Sequence, residues 1–305
     1  MSRAPLALLL AACAGEPPLG AYAPADSDAP AAHVFTFAVL ADPHVTAEGE
    51  RTERLRDALA WIEGQAGARA IELVLVAGDV AWDQGYAPLL AAMEETSLPW
   101  VPITGDNEVN VGEEAVWDAA FSPHYDDLAT SLDGWTRLPR PAHDPDTGRD
   151  AWLQCFAFRW RGVTFVGVDI ASRVPGLLEG EIGRLHDFPG GSLPFLEQQL
   201  ASRPEGPARD VVILTHNPLQ QTIGGLMPED QARLDEVLAP HADRVAMALG
   251  GHLHVDYEDA DNDGRPYGVY LTDAVWDDEV RLRLIEVWSD GRSFSYVQET
   301  VTVPR

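Results

Sequence analysis

The sequence predicts an α/β fold built on a parallel sheet. Three observations carry that prediction. Apolar runs rich in Val, Ile and Leu alternate with amphipathic helical stretches three times between residues 34 and 121. Each of those runs ends in a carboxylate beside Gly or Pro. The 305 residues, 46% of them apolar, suffice to cover both faces of such a sheet, as one large domain or two ordinary ones.

Taken in order, Val34 to Leu40 reads as a buried strand that ends in Ala41-Asp42-Pro43-His44. Arg51 to Gln65 follows with Leu55, Ala58, Leu59 and Ile62 at helical spacing, which makes one apolar stripe for a sheet. A second strand, Ile71 to Val76, ends in Ala77-Gly78-Asp79, and Tyr86 to Thr96 is the next helix. Trp100 to Ile103 is a third strand, ending in Thr104-Gly105-Asp106-Asn107-Glu108. Glu113 to Phe121 reads as a short helix. Residues 122 to 150 carry many Pro and Asp and little periodicity, as in Pro139-Arg140-Pro141-Ala142-His143-Asp144-Pro145, and read as a surface insertion or a loop on the substrate side.

Trp152 to Trp160 and Val163 to Ile170 predict two strands joined at Arg161-Gly162. Residues 171 to 192 read as a second irregular loop, and Leu193 to Ser202 as a helix. The strand Val211 to Leu214 ends in Thr215-His216-Asn217-Pro218, and Gln231 to Leu238 is helical. Val245 to Leu249 leads into Gly250-Gly251-His252-Leu253-His254, where the glycines allow a sharp turn off the strand. Residues 267–273, 280–288 and 293–301 predict antiparallel strands. No internal repeat is evident.

Charge bounds the partners. Acidic residues outnumber basic ones 49 to 21, for a formal net charge of -28. No basic surface is available to release counterions from a nucleic-acid backbone, so no nucleic-acid partner is expected. The charge reads as a soluble, self-repelling surface in an extracytoplasmic or salty setting.

Residues 1–12 read as a signal peptide: a basic start at Arg3, then Leu6-Ala7-Leu8-Leu9-Leu10, too short to span a bilayer. Leu10-Ala11-Ala12-Cys13 resembles the bacterial lipoprotein motif, which implies cleavage before Cys13, acylation of that cysteine and membrane anchoring. The anchored protein would lie in the bacterial cell envelope, on the periplasmic or outer-membrane side; the other reading is an ordinary secretory signal with Cys13 incidental, and either way the protein is exported. Residues 13–32, rich in Ala and Pro, form the tether, and 33–305 the domain. Cys155 alone remains beyond Cys13, so no disulfide holds the domain.

Alternate residues of an extended segment point the same way, so His252 and His254 can face one point, as can Asp42 and His44. All are ligands for a borderline-hard divalent metal. Taken singly, Asp42, Asp79 and Asp106 also fit helix N-caps; taken with four histidines at strand ends they favour a metal site. No glycine-rich phosphate loop and no G-x-S-x-G elbow is present.

The ordered set Asp42-x-His44, Gly78-Asp79, Gly105-Asp106-Asn107-Glu108, His216-Asn217-Pro218 and Gly251-His252-Leu253-His254 resembles the calcineurin-like metallophosphoesterase family across residues 34 to 255. The resemblance implies a four-layer α/β/β/α sandwich of two mixed sheets, with a two-metal centre at the strand ends. It implies that Asp42, His44 and His254 hold one metal, that His216 and His252 hold the other, and that Asp79 bridges them. The ions would be Mn, Zn or Fe, and the chemistry hydrolysis of a phosphate mono- or diester by an activated hydroxide.

The third block departs from the family's usual Gly-Asn-His-Asp/Glu. Ungapped, Asp106 stands at the neutral asparagine ligand and Asn107 at the histidine that helps protonate the leaving group. The alternative alignment keeps Asn107 as the ligand, with Asp106 inserted. In the ungapped reading, two divalent ions, three carboxylates and a hydroxide sum to about zero charge. That weakens attraction for a dianionic monoester and favours a harder or trivalent metal. Asn107 cannot donate a proton near neutral pH, so a good leaving group, or His124 or His186 as proton source, must compensate. Both histidines also read as surface residues, as do His33, His143 and His241.

Asp259-Ala260-Asp261-Asn262-Asp263-Gly264 matches the first half of a calcium loop, but Tyr270 stands where its glutamate belongs. It reads as an acidic hairpin turn, with weak calcium binding at Asp259, Asp261 and Asp263 as the other reading. Two functions compete. One is an exported phosphoesterase acting on a phosphorylated small molecule or ester. The other is a metal-binding surface protein on a degenerate phosphoesterase scaffold with little turnover.

Overall fold

The computed structural model describes residues 31–47, 49–82, 85–109, 113–174, 182–202 and 206–304. The signal peptide, Cys13 and nearly all of the tether lie outside them. No helix among the described residues is long and apolar enough to cross a membrane.

The chain opens with β1 (Ala32–Leu40), α1 (Glu50–Arg69), β2 (Ile71–Ala77), α2 (Tyr86–Met93) and β3 (Trp100–Ile103). These are the first two strand–helix repeats of the sequence and the strand of the third. Strands β1, β2 and β3 are parallel neighbours. Helix α1 runs one turn past the expected Gln65, because Ala70 takes a left-handed conformation and its N–H caps the Ala66 carbonyl. It buries Leu55, Ala58, Leu59 and Ile62 on the sheet. Helix α2 stops at Met93, three residues short of the expected end.

Helix α3 (Glu113–Ser131) is the main departure from expectation. Pro123 lies inside it, and the helix continues through the stretch expected to be an insertion. A proline in a helix interior costs about 3 kcal/mol. Trp117, Phe121, Tyr125 and Leu128 offset that, because they keep one apolar face buried on both sides of the proline. Trp100 of β3 meets Phe121 edge to face, and the Tyr125 hydroxyl donates to the Pro102 carbonyl at 2.8 Å. The rest of the expected insertion forms β4 (Asp133–Arg137) and a small hairpin of β5 (Ala142–Asp144) and β6 (Arg149–Ala151).

β7 (Phe156–Trp160) and β8 (Val163–Gly167) form the expected hairpin. Arg161 and Gly162 both carry positive φ, 50° and 92°, the conformation a two-residue turn requires. Then follow α4 (Ser192–Ala201), β9 (Val211–Leu214), α5 (Pro228–Leu238), β10 (Val245–Gly250), β11 (Tyr257–Asp259), β12 (Gly268–Leu271), β13 (Arg281–Ser289) and β14 (Phe294–Thr302). β12 is not antiparallel to its larger neighbour, as expected, but runs parallel to β10, and only the unforeseen β11 opposes it.

One sheet has the order β14-β13-β1-β2-β3 and the other β11-β12-β10-β9-β8-β7-β4. Both are mixed. They pack face to face: Phe37 of β1 meets Phe165 of β8 at 5.2 Å, within a core that also takes in Val212, Leu214 and Leu249. α1 and α2 cover the outer face of the first sheet, and α4 and α5 that of the second. The four-layer architecture is the one the resemblance implies. Parallel strands β1, β2, β3, β9 and β10 end together, so the loops after them converge on one edge of the sandwich.

Candidate metal centre

Each of the seven residues singled out as ligands of a two-metal centre leaves one of those five strand ends. Asp42 and His44 follow β1, Asp79 follows β2, Asp106 follows β3, His216 follows β9, and His252 and His254 follow β10. They gather into three overlapping groups whose ligand atoms lie within 4.8 Å of one another: Asp42, His44 and His254; Asp106, His216 and His252; and Asp42, Asp79 and His216.

Asp79 stands between two of these. Its Oδ2 lies 3.5 Å from His44 Nε2 and its Oδ1 3.4 Å from His216 Nε2. Asp106 Oδ1 is 2.9 Å from His216 Nε2 and 3.1 Å from His252 Nδ1. Of the two alignments, this geometry favours the ungapped one, with Asp106 in the ligand position. Asn107 turns instead to Asp79: its backbone N–H donates to Oδ1 at 3.0 Å and its side-chain amide to Oδ2.

The backbone is unusual at these positions. Asp42, His44, Asp79, His252 and His254 have φ of 48°, 44°, 49°, 72° and 52°. The sharp turn expected of Gly250 and Gly251 therefore falls on the histidines. Gly251 is needed for space, since a Cβ there would lie 2.4 Å from Asp42 Oδ2. Gly105 is constrained in the same way, 2.0 Å from Asp79 Oδ1. Asp42 is no helix cap, because it accepts the His252 backbone N–H at 2.9 Å. The residues before α1 and α2 are Gly49 and Gly85.

The donor set fits a pair of cations. His216 Nδ1 donates to the Ala77 carbonyl at 2.8 Å, which leaves Nε2 facing two carboxylates. His44 Nε2 and His254 Nε2 face each other at 3.1 Å, and His44 Nδ1 is buried with no hydrogen-bond partner among the described residues. Separations near 3 Å are those of donors that share one ion at about 2.0–2.2 Å each. The acid–base balance of the cluster points the same way. Burial pushes Asp79 up to about 7, with His216 opposing and Asp106 and Asp42 reinforcing. Burial also opposes charge on His216, yet Asp79, Asp106 and Asp42 raise it well above the usual imidazole value. Burial takes His44 down to about 3. Crowded carboxylates that favour any nearby positive charge are what a cation pair relieves.

Two supports lie behind the cluster. Glu108 is buried and accepts the backbone N–H groups of Ala81 (3.1 Å) and Gly105 (2.6 Å), tying the loops after β2 and β3 together. Thr104 donates to Asp169 at 2.8 Å, and buried Arg173 bonds both Asp169 and Glu114. Sequence reading misses this second network, because its members lie far apart in the chain. The two candidate proton sources are not brought to the cluster. His186 is buried rather than at the surface, and its Nε2–H donates to the Ala171 carbonyl at 3.1 Å. His124 stacks on Trp100, at the end of β3 away from Asp106, and donates to the Trp100 carbonyl. His33 and His143 are exposed and His241 is half-buried. In the acidic turn, Asp259 accepts from Gln220 and from the Asn262 backbone, and Asp263 lies 3.5 Å from Arg265.

Comparison with known proteins bears on the family and the fold. A family model described as calcineurin-like phosphoesterase matches residues 35–256. A dimetal phosphatase from Danio rerio shares the fold with a TM-score of 0.55 and 16% identity, over 90% of this chain and all of that one. A protein described as a 5′-nucleotidase from Staphylococcus aureus, in complex with alpha-ketoglutarate, aligns with a TM-score of 0.51 and 13% identity. That alignment covers 89% of this chain and 54% of the other. At such identities the likeness speaks to the fold alone. Among curated protein sequences no match is found.

Proposed function

Because the chain belongs to the calcineurin-like phosphoesterase family, we propose that it is a metal-dependent hydrolase of phosphate esters with a dinuclear centre. The observation that carries this reading is Asp79, which offers one carboxylate oxygen toward His44 and the other toward His216. In this assignment Asp42, His44 and His254 would hold one divalent ion, Asp106, His216 and His252 would hold the other, and Asp79 would serve both groups. Two such ions supply Lewis acidity and a nucleophile at neutral pH.

The chain's own residues then set which ester suits it. Asn107 keeps Asp79 oriented through two donated hydrogen bonds. Its amide holds no titratable proton for a leaving group, and neither His124 nor His186 is at hand. Asp106 adds a negative charge where the family motif has a neutral ligand, which disfavours a dianionic substrate. The site so built suits a singly charged diester, or another ester whose leaving group departs without a proton. Manganese, zinc and iron all accept this nitrogen and oxygen ligand set. Leu10-Ala11-Ala12-Cys13 supports placement in a bacterial cell envelope on a lipid anchor, with residues 13–32 as tether and 33–305 as the catalytic domain.

The test is hydrolysis of p-nitrophenyl phosphate and bis-p-nitrophenyl phosphate by protein stripped of metal and reloaded with manganese, zinc or iron, beside an Asp79→Asn control. Metal-dependent turnover is expected, faster on the diester and at least a hundredfold lower in the control. No turnover with two metals bound per chain would shift the assignment to a binding protein on the same scaffold.

A further inference from the structure

Asp106 has to reach across the sandwich. It follows β3, an edge strand of the first sheet, yet it meets His216 and His252, which follow β9 and β10 of the second. An aspartate side chain is short, so the backbone that carries it must be held against the second sheet. Glu108 ties this segment only to the loop after β2, within the first sheet.

The tie to the second sheet lies in the loop after β8, and it grips the segment at both ends. Before Asp106, buried Thr104 donates through Oγ1 to Asp169 Oδ2 at 2.8 Å. After it, Glu114 in the first turn of α3 accepts from Arg173 Nη2 at 3.3 Å. Asp169 and Arg173 are themselves joined by a fork of two bonds, Nη1 to Oδ1 at 2.5 Å and Nη2 to Oδ2 at 2.8 Å. Asp169 also accepts the backbone N–H groups of Gln154 at 3.0 Å and Ala171 at 3.3 Å, and Arg173 Nη1 donates to the Ala171 carbonyl at 2.7 Å. Burial opposes charge on Asp169, yet Arg173 holds its carboxyl below the usual range. A buried, two-bond ion pair with its other polar atoms satisfied is a rigid anchor, unlike an exposed one. Asp42 and His44 depend on different contacts, since their backbone N–H groups donate to the Gly78 and Asp79 carbonyls at 3.2 and 2.9 Å.

We propose that Thr104, Asp169 and Arg173 are positioning residues: together they form a latch that sets the reach of Asp106 and so decides how firmly a cation is held at Asp106, His216 and His252. The inference rests on the dinuclear reading and deepens it, because it makes the two cation positions separately tunable. Outer partners of metal ligands typically govern affinity by ten- to a hundredfold.

The test is competition between the full chain and a graded chelator for manganese. The native protein is expected to hold two equivalents. Thr104→Val keeps the buried shape and removes the hydroxyl, so it should weaken one equivalent at least tenfold and the other less than twofold. Thr104→Ser should restore the native value. On an Asp106→Ala background the loss from Thr104→Val should shrink below twofold, because the latch acts through Asp106. Tyr125→Phe, which removes a hydrogen bond to Pro102 upstream in β3, should lower the melting temperature and leave both affinities unchanged. Should Thr104→Val fail to fold, Arg173→Lys, which breaks the fork and keeps the charge, is read in the same way. Equal weakening of both equivalents, an undiminished loss on Asp106→Ala, or no loss at all overturns the latch alone. Fewer than two equivalents on the native protein overturn the dinuclear reading, and the latch with it.

Discussion

Asp106 is the single residue on which the chemistry turns most. Its Oδ1 meets His216 and His252 within 3.1 Å, and it brings a charge where the family motif has a neutral amide. Asp106→Asn keeps the shape and removes that charge. Competition against a graded chelator should then show one of two metal equivalents bound on the order of tenfold more weakly. Turnover of the dianion p-nitrophenyl phosphate should rise in the same variant. Unchanged metal affinity would remove Asp106 from the ligand set. At this scale the site was largely legible, because histidines and carboxylates two apart on strand ends have a local signature. Arg173 was not: residues 104, 114, 169 and 173 gather only once the sheets pack, a contact that leaves no mark in any short window.

At the scale of elements, the strands and the Arg161-Gly162 hairpin follow from periodicity and turn chemistry. Helix α3 does not, because Pro123 is a local stop signal that a longer apolar face overrides. The connection from β8 to α4 hides a second such override. His186 sits in a Gly-rich stretch that reads as surface, yet its ring is bonded to Ala171 and its backbone N–H to Ser192 Oγ at 3.2 Å. Burial, helped by the charge of Arg173 and opposed by Asp169, takes it from the usual 6.5 down to about 4. The folded protein therefore binds this proton less readily than the unfolded chain. The stability that depends on neutral His186 is complete above pH 6.5 and is lost as pH falls from 6.5 to 4, on the order of 3 kcal/mol. Urea unfolding at pH 7, 5.5 and 4.5 should show a steeper decline in the native protein than in His186→Gln, which keeps a donor and cannot charge. Parallel declines would assign the slope to other groups.

For the molecule as a whole, the cluster is where two sheets meet. Asp42, His44, Asp79 and Asp106 come from the first sheet, and His216, His252 and His254 from the second. Bound cations would add a cross-link between layers that already meet through apolar side chains and through hydrogen bonds such as His252 N–H to Asp42. A ligand present at a hundred times its Kd adds about 2.7 kcal/mol of stability. For a domain of this size that amounts to a Tm higher by about 5–10 °C with manganese than with a chelator. Identical melting in both would argue against any cation at this edge. The pairing of β13 with β1 and of β4 with β7 was beyond local reading, because it joins segments without periodic cues to their partners. The sandwich was foreseen through the ordered motifs instead.

Five of the residues in the cluster sit in left-handed backbone, a conformation that costs a side chain with a Cβ roughly 1–2 kcal/mol. Glycine at any of those places would ease the local backbone while removing a candidate ligand. Each such replacement would trade the side chain's own contacts, such as the Asn107 bonds to Asp79, for an easier backbone. In backbone terms loss of the cluster runs downhill for this architecture, so the fold alone gives no reason to keep these five residues.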